Sequence, residues 1–426
     1  MQILWATPFN TRSAIGIYSR DVCHELVKRG HGVRIMRLES NEEAYLPTLS
    51  TSIELLGPDE PIPCNIDLVV INYGNHAPYH AGALRIAVEQ LSVAIFHDAE
   101  MRHFQWGMLN RHQIALPILL NEDGQRDTRS EEFDLVNVSS RPLLESLSAM
   151  AAGAIVHGPH YQPTVAGACP GPVKIIPLCF PNIDVVKTEQ KIHKSRRIVM
   201  FGIISPYKQP DRLLRAISKL QEEFSDIEVH LAGVIEENYR LLLINIACKL
   251  GIPEPVFHGY LSDQDLGNLL AGSDVICCLR YPVTEGGSAS LITALHQGQP
   301  LIVSNIASYS MVPNDLVYKV SYSEEADDLA NVIREILLNP KSAQVRALRG
   351  RDWAKTTYSS SSYVDCLENF IEQVLNTLPV QKAFRYLADK ATLPDGNVMP
   401  GALHSIAQAA NSLFRERGKL EIDEYI

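Results

Sequence analysis

The chain has 426 residues, 46% of them hydrophobic and 20% charged, a soluble globular composition in a length that exceeds one ordinary core, so two domains are expected. A formal net charge of −11 excludes a general nucleic-acid binder, whose surface must be basic to displace counterions. No window approaches the ~20 uninterrupted apolar residues of a membrane span, and the start Met1-Gln-Ile-Leu-Trp-Ala-Thr-Pro8 lacks the basic segment and apolar core of an export signal. A cytoplasmic protein is therefore expected. Its eight cysteines have no Cys-x-x-Cys spacing, and they predict buried, reduced thiols rather than a zinc or redox centre.

In chain order, the pattern predicts a strand over 2–6, a helix over 17–29 closed by Gly30, and strands over 33–37, 67–71, 92–96, 154–157 and 174–177. Strand and helix in alternation build a parallel sheet with helices on both faces. Ligands bind such a sheet at the carboxyl ends of its strands. Polar clusters fall there: Pro8 to Gly16, Asn72 to His80, and His97-Asp98.

A polar, basic stretch over 183–196 reads as a linker between domains. Alternation then restarts, with strands over 198–202, 228–232, 256–258, 275–279 and 301–303 and helices over 210–220, 239–250 and 262–271. The expected organisation is α/β: two Rossmann-like, doubly wound domains over 1–182 and 197–340, facing each other across a cleft. Helices over 341–379 pack back across the domains, and 380–426 is a helical tail that carries no legible chemistry.

The segment from Leu279 to Pro300 is the richest in chemistry. A strand ends at Leu279, Glu285-Gly286-Gly287-Ser288 form the turn, and Leu291, Ile292 and Leu295 give the next helix an apolar face. Glycines admit a ligand close to the backbone, and the free N–H groups at a helix start favour an anion such as phosphate.

The order of motifs resembles the GT-B glycosyltransferases, specifically the retaining family 4 (glycosyl transferases group 1), over residues 1 to 375. The resemblance rests on Gly202-Ile-Ile-Ser-Pro-Tyr-Lys208, Leu231-Ala-Gly233, Val256-Phe-His-Gly-Tyr260, Gly272-Ser-Asp-Val275, the Arg280–Ser290 segment and Gly298-Gln-Pro-Leu-Ile-Val303. In the first half, Gly74-Asn75 with His80, followed by His97-Asp98, resemble a subgroup of that family. The chain departs from the pattern where the common second glutamate falls on Thr293, where Glu285 stands one place early, and where Ile203 replaces an arginine. Arg280 and Arg212 are the candidates for the missing charge.

The resemblance implies transfer of a hexose from a nucleoside-diphosphate sugar, UDP-glucose or a related UDP-sugar, to a saccharide or lipid-linked acceptor. It implies no cofactor and no metal. Lys208, Arg280, Gly286, Gly287, Ser288, Ser290 and Gly16 are the expected diphosphate ligands. Arg280 serves an ion pair, Ser290 a helix cap and Gly16 a tight turn as readily. Gly259 and Tyr260 are expected at the base, Asn75 and His80 at the sugar or acceptor, and His97, Asp98 and Glu285 at the transferring centre. The basic and aromatic stretch Arg102, His103, Phe104, Trp106, Leu109, Arg111 and His112 is either a half-buried helix or a peripheral membrane contact. Competing implications are a non-catalytic nucleotide-sugar scaffold and a sugar-nucleotide 2-epimerase of the same architecture.

Overall fold

The computed structural model describes residues 1–10, 13–39, 46–112, 142–181, 195–322 and 325–391. Most of the expected linker and of the expected tail lie outside them, as do the side chains of Leu109, Arg111 and His112. The first half alternates β1 (Gln2–Thr7), α1 (Ala14–Lys28), β2 (Gly32–Arg37), β3 (Glu54–Leu56), β4 (Leu68–Tyr73), α2 (Ala77–His80), α3 (Gly82–Glu89), β5 (Ser92–Phe96), α4 (Arg102–His112), α5 (Glu145–Ala149), β6 (Gly153–Val156), α6 (Gln162–Ala168) and β7 (Val173–Ile175). These strands form a parallel sheet in the order β3-β2-β1-β4-β5-β6-β7. Trp5 pairs with Ile35 on one side and Val70 on the other.

The second half repeats the plan with β8 (Arg196–Phe201), α7 (Pro210–Ser218), β9 (Ile227–Ala232), α8 (Glu237–Leu250), β10 (Val256–Gly259), α9 (Asp263–Ala271), β11 (Val275–Cys278), α10 (Ala289–Gln297), β12 (Leu301–Ser304), β13 (Tyr318–Val320) and α11 (Asp327–Leu338). The sheet order is β10-β9-β8-β11-β12-β13, again parallel. In both sheets the strand order reverses beside the first strand, between β1 and β4 and between β8 and β11. Crevices open at such switch points, at the carboxyl ends of the strands.

Continuous apolar runs make these strands because a parallel sheet covered on both faces has no solvent side. Val70, Ile71, Val93, Ile95, Ile198, Val199, Ile276 and Ile302 are all fully buried. One apolar cluster runs unbroken from Trp5 and Ile95 through Leu178, Tyr358 and Tyr363 to Leu291 and Ile276, joining the two sheets. Much of that junction comes from α12 (Pro340–Thr357) and α13 (Ser360–Ala391).

Helix α13 returns to the first domain. Arg29, at the end of α1, donates to Asp365 at 2.6 Å and Glu368 at 2.9 Å, His31 meets Glu368 at 2.8 Å, and Gln381 donates to the carbonyl of Ala152 at 2.8 Å. The helix passes through Pro379, so the boundary drawn at 379/380 falls within one element. Two expectations need correction: Cys64 and Cys248 are exposed, although no cysteine is paired, and Arg212 is buried in structural bonds. Its guanidinium donates to the carbonyls of Ser321 and Glu325 and to Asp328 at 2.7 Å, tying α7 to α11.

Candidate active site

The loops after β8 and β11 flank the switch point of the second sheet. Gly202 has φ +87°, a backbone conformation that favours glycine, and a Cβ there would stand 2.7 Å from Lys208 Nζ and 3.1 Å from Ser290 Oγ, in the space the lysine occupies. Lys208 is buried; its ammonium donates to the carbonyl of Phe201 and to Ser290 Oγ at 3.4 Å. Burial, with the positive charge of Arg280 nearby, pulls it down to about 8. A bound phosphate would reverse that shift.

Arg280 donates to Glu285 at 2.7 Å. Burial opposes its charge, but Glu285 and Tyr309 more than offset it and raise its pKa. Its Nε is buried with no partner among the described residues, which leaves a donor for an anion. The other oxygen of Glu285 accepts from the Tyr309 hydroxyl, which also lies 3.0 Å from Ser288 Oγ. Ser288 caps α10, accepting from the N–H of Leu291 at 3.3 Å. The carboxylate that stands one place early is thus clamped from both sides and linked through Tyr309 to the helix start.

Two backbone bonds join the domains at this point. Ala99 N–H donates to Thr284 O and Gly286 N–H to His97 O, each at 2.8 Å, with Asp98 opposite Glu285 in a short antiparallel bridge. Gly286 therefore spends its amide on the first domain, which leaves Gly287 and the first turn of α10 to meet an anion. Asp98 accepts from Asn75 N–H at 2.7 Å; burial, then the nearby Glu285 and Glu100, push its carboxyl up to about 7.

His97 lies where β5 meets that bridge, but neither ring nitrogen is open: Nε2 is 2.9 Å from Asn72 Oδ1 and Nδ1 is 3.2 Å from His157 Nε2. The Asn75 side chain donates to Glu100 at 3.1 Å and accepts from Phe104 N–H at 2.9 Å, fastening α4. His80 is buried with Nδ1 turned to the backbone of Asn72 and Gly74, and burial lowers it to about 4. Gly16 packs where a Cβ would meet Asn10 N at 2.8 Å and Pro8 O at 3.0 Å, and its N–H is capped by Ser13; a close backbone approach is sufficient reason for this glycine. Gly259 ends β10, an edge strand two places from the strand that leads to Lys208, and Tyr260 follows it, 81% exposed. Phe104 is buried against Tyr73, and α4 is half-buried over its described side chains, 102–108.

Sequence reasoning missed Tyr309 and His157. Tyr309 sits in a single 3₁₀ turn over Ala307–Met311 and belongs to no motif. His157 directly follows β6, a strand that the pattern does predict, and its place at a carboxyl end was the available signal.

Two parallel α/β domains that meet at their carboxyl edges, bridged by a C-terminal helix, define the GT-B architecture. Residues 183–353 match the family model described as Glycosyl transferases group 1, the span that holds Lys208, Arg280 and Glu285. No curated protein matches the sequence. Among solved structures, the chain is similar to HepE of Anabaena in complex with UDP and glucose, at 14% identity and TM-score 0.61 over 87% of this chain and 99% of that one. It is similar to sucrose-phosphate synthase of Thermosynechococcus elongatus at 16% identity and TM-score 0.62, covering 88% and 100%. A third is WaaG, a glycosyltransferase involved in lipopolysaccharide biosynthesis, at 15% identity and TM-score 0.53, covering 86% and 98%. Identities this low speak for the fold.

Proposed function

We propose that the protein is a retaining, metal-independent glycosyltransferase of family 4 that moves a hexose from UDP-glucose or a related UDP-sugar to a saccharide or lipid-linked saccharide. The observation that carries this reading is the pairing of Lys208 and Arg280 beside Ser290 at the start of α10, within the segment that matches the family. Breaking the anomeric bond places negative charge on the departing diphosphate and positive charge on the sugar ring. Lys208 and the unpartnered Nε of Arg280 answer the first; Glu285, held by Arg280 and Tyr309, answers the second.

In this reading the donor sugar meets the strip formed by Asp98, Ala99, Thr284 and Glu285. The acceptor approaches from the first domain, past Asn75 and Asp98. Because His97 is bonded at both nitrogens, its contribution comes through the backbone carbonyl and the shape of the bridge unless Asn72 releases Nε2. The helical surface of α4 supplies no separate argument for a membrane; among the described residues no helix is long and apolar enough to cross one.

The test is release of nucleoside diphosphate from UDP-glucose, UDP-galactose, GDP-mannose and ADP-glucose, with and without a panel of glycans and glycolipid primers, in buffer and in EDTA. Acceptor-stimulated UDP release that survives EDTA, with the anomeric configuration kept in the product, is the expected result. Binding without turnover under every acceptor would make the protein a nucleotide-sugar scaffold. Loss of turnover in EDTA would remove the metal-independent site.

A further inference from the structure

Asn72, His97, His157 and the carbonyl of Ile176 form one buried file behind the domain bridge. The Ile176 oxygen can only accept, so His157 Nδ1 donates to it across 2.9 Å. Asn72 Nδ2 donates to the carbonyl of Ala6 at 3.1 Å, which turns Oδ1 toward His97, and His97 Nε2 donates to that oxygen across 2.9 Å. Both outer nitrogens therefore carry hydrogen. The inner two, His97 Nδ1 and His157 Nε2, face each other at 3.2 Å. With both rings neutral, two lone pairs meet there; one added proton converts the contact into an N–H···N bond that shares a single positive charge.

The surroundings keep that proton out at neutral pH. Tyr18 of α1 lies edge-on 4.8 Å from the His97 ring, Tyr363 of α13 lies 6.2 Å from His157, and the Tyr161 hydroxyl of the α6 entry accepts from His157 N–H at 2.6 Å. Burial raises all three phenols and also Cys179 beside Tyr18, and it lowers His80 of α2. None of these is charged at pH 7, and Asp98, next in the chain, is turned to Asn75 N–H. Burial holds His157 down at about 4 and His97 well below its usual range.

The pair nevertheless touches the anion loop. Gly286 N–H binds the carbonyl of His97 at 2.8 Å, and a Cβ on Gly287 would stand 3.2 Å from that of His157. Between them lies a cavity of about 20 Å³, room for one water, lined by His157, Gly287, Ser288 and Ser308. We propose that the His97–His157 pair is a proton site linked to diphosphate binding: an anion at the start of α10 draws one proton from solvent onto the nitrogen contact. The donor's two negative charges are partly offset by the charge so gained, and His157 acts as a positioning residue through His97. This rests on the donor reading above.

Calorimetry with UDP-glucose, whose diphosphate has no proton to lose near neutrality, tests it at pH 6 in PIPES and in imidazole. At that pH Lys208 is already charged and Asp98 mostly protonated, so the histidine pair is the main group left to take up a proton. The expected result is a buffer-dependent heat equal to uptake of about half a proton or more per nucleotide bound, lost in His157→Gln. Nitrogen-15 spectra of the wild-type histidines, with and without UDP-glucose, give the same answer if that variant fails to fold: two ring nitrogens shift toward the imidazolium range. Binding with no buffer dependence and no histidine shift overturns the proton site and leaves the donor reading standing. If UDP-glucose, GDP-mannose and ADP-glucose all fail to bind, the donor reading and the proton site fall together.

Discussion

Glu285 precedes the two glycines by one position, yet its carboxylate is aimed by Arg280 on one oxygen and Tyr309 on the other. Removing only the phenol hydroxyl isolates that aim. Tyr309→Phe is expected to lower kcat about 10-fold, the worth of one charge-assisted bond, while KM for the donor stays within about 2-fold; equal changes in both would place Tyr309 in binding instead. Lys208 carries a different signature. Its pKa of about 8 means the ammonium is charged below pH 8 and neutral above, so donor affinity should be full below pH 8 and fall as pH rises through it. Lys208→Met should bind UDP-glucose roughly 30-fold more weakly and lose that pH dependence, and calorimetry from pH 6.5 to 9.5 reads both. Lys208, Arg280 and Glu285 stand in an ordered motif of the sequence, and the structure brings the three side chains together. Tyr309 and His157 were not legible in the sequence, because each reaches the site only through tertiary contacts across 24 and 60 residues of chain.

At the scale of elements, α10 links the fold to the chemistry, since Ser288 both caps it and touches Tyr309. Ser288→Ala removes a cap worth about 1 kcal/mol, and it is expected to lower the unfolding midpoint by a few degrees and to weaken donor binding together; a stability loss with unchanged affinity would separate cap from site. The long central strands were readable from apolar runs alone, and β5 falls on the residues expected. The three-residue edge strands β3 and β13 were not, whereas β7, equally short, overlaps a strand the pattern does predict. Helix α13 was placed correctly as helical over most of its length, but its grip on α1 through Arg29, Asp365 and Glu368 is a tertiary matter. Arg212 was misread for a related reason: a lone arginine after a motif loop looks the same in sequence whether it meets a phosphate or two carbonyls.

At the scale of the whole molecule, five imidazoles are buried among the described residues, His80, His97, His157, His230 and His296, and burial lowers the pKa of each. Their pKa values are lower folded than unfolded, so the unfolded chain binds more protons between about pH 4 and 6.5 and stability must rise with pH across that window. Each ring held near 4 contributes up to about 3 kcal/mol to that slope. Asp98, raised to about 7, and Glu100, also raised by burial, oppose them. Thermal unfolding should therefore shift upward from pH 4.5 to 6.5 and level off above; a flat or falling profile would contradict neutral burial of the histidines. The two-domain plan was readable from the restart of alternation after the linker, whereas the closeness of the domains at Asp98 and Glu285 depends on how the sheets meet. The most direct measurement of the central claim is a crystal structure with UDP-glucose bound. The account predicts the diphosphate at the start of α10, within hydrogen-bond reach of Lys208 Nζ, the Arg280 guanidinium and Gly287 N–H. Nucleotide bound elsewhere, with Lys208 and Arg280 keeping only their internal partners, would contradict it.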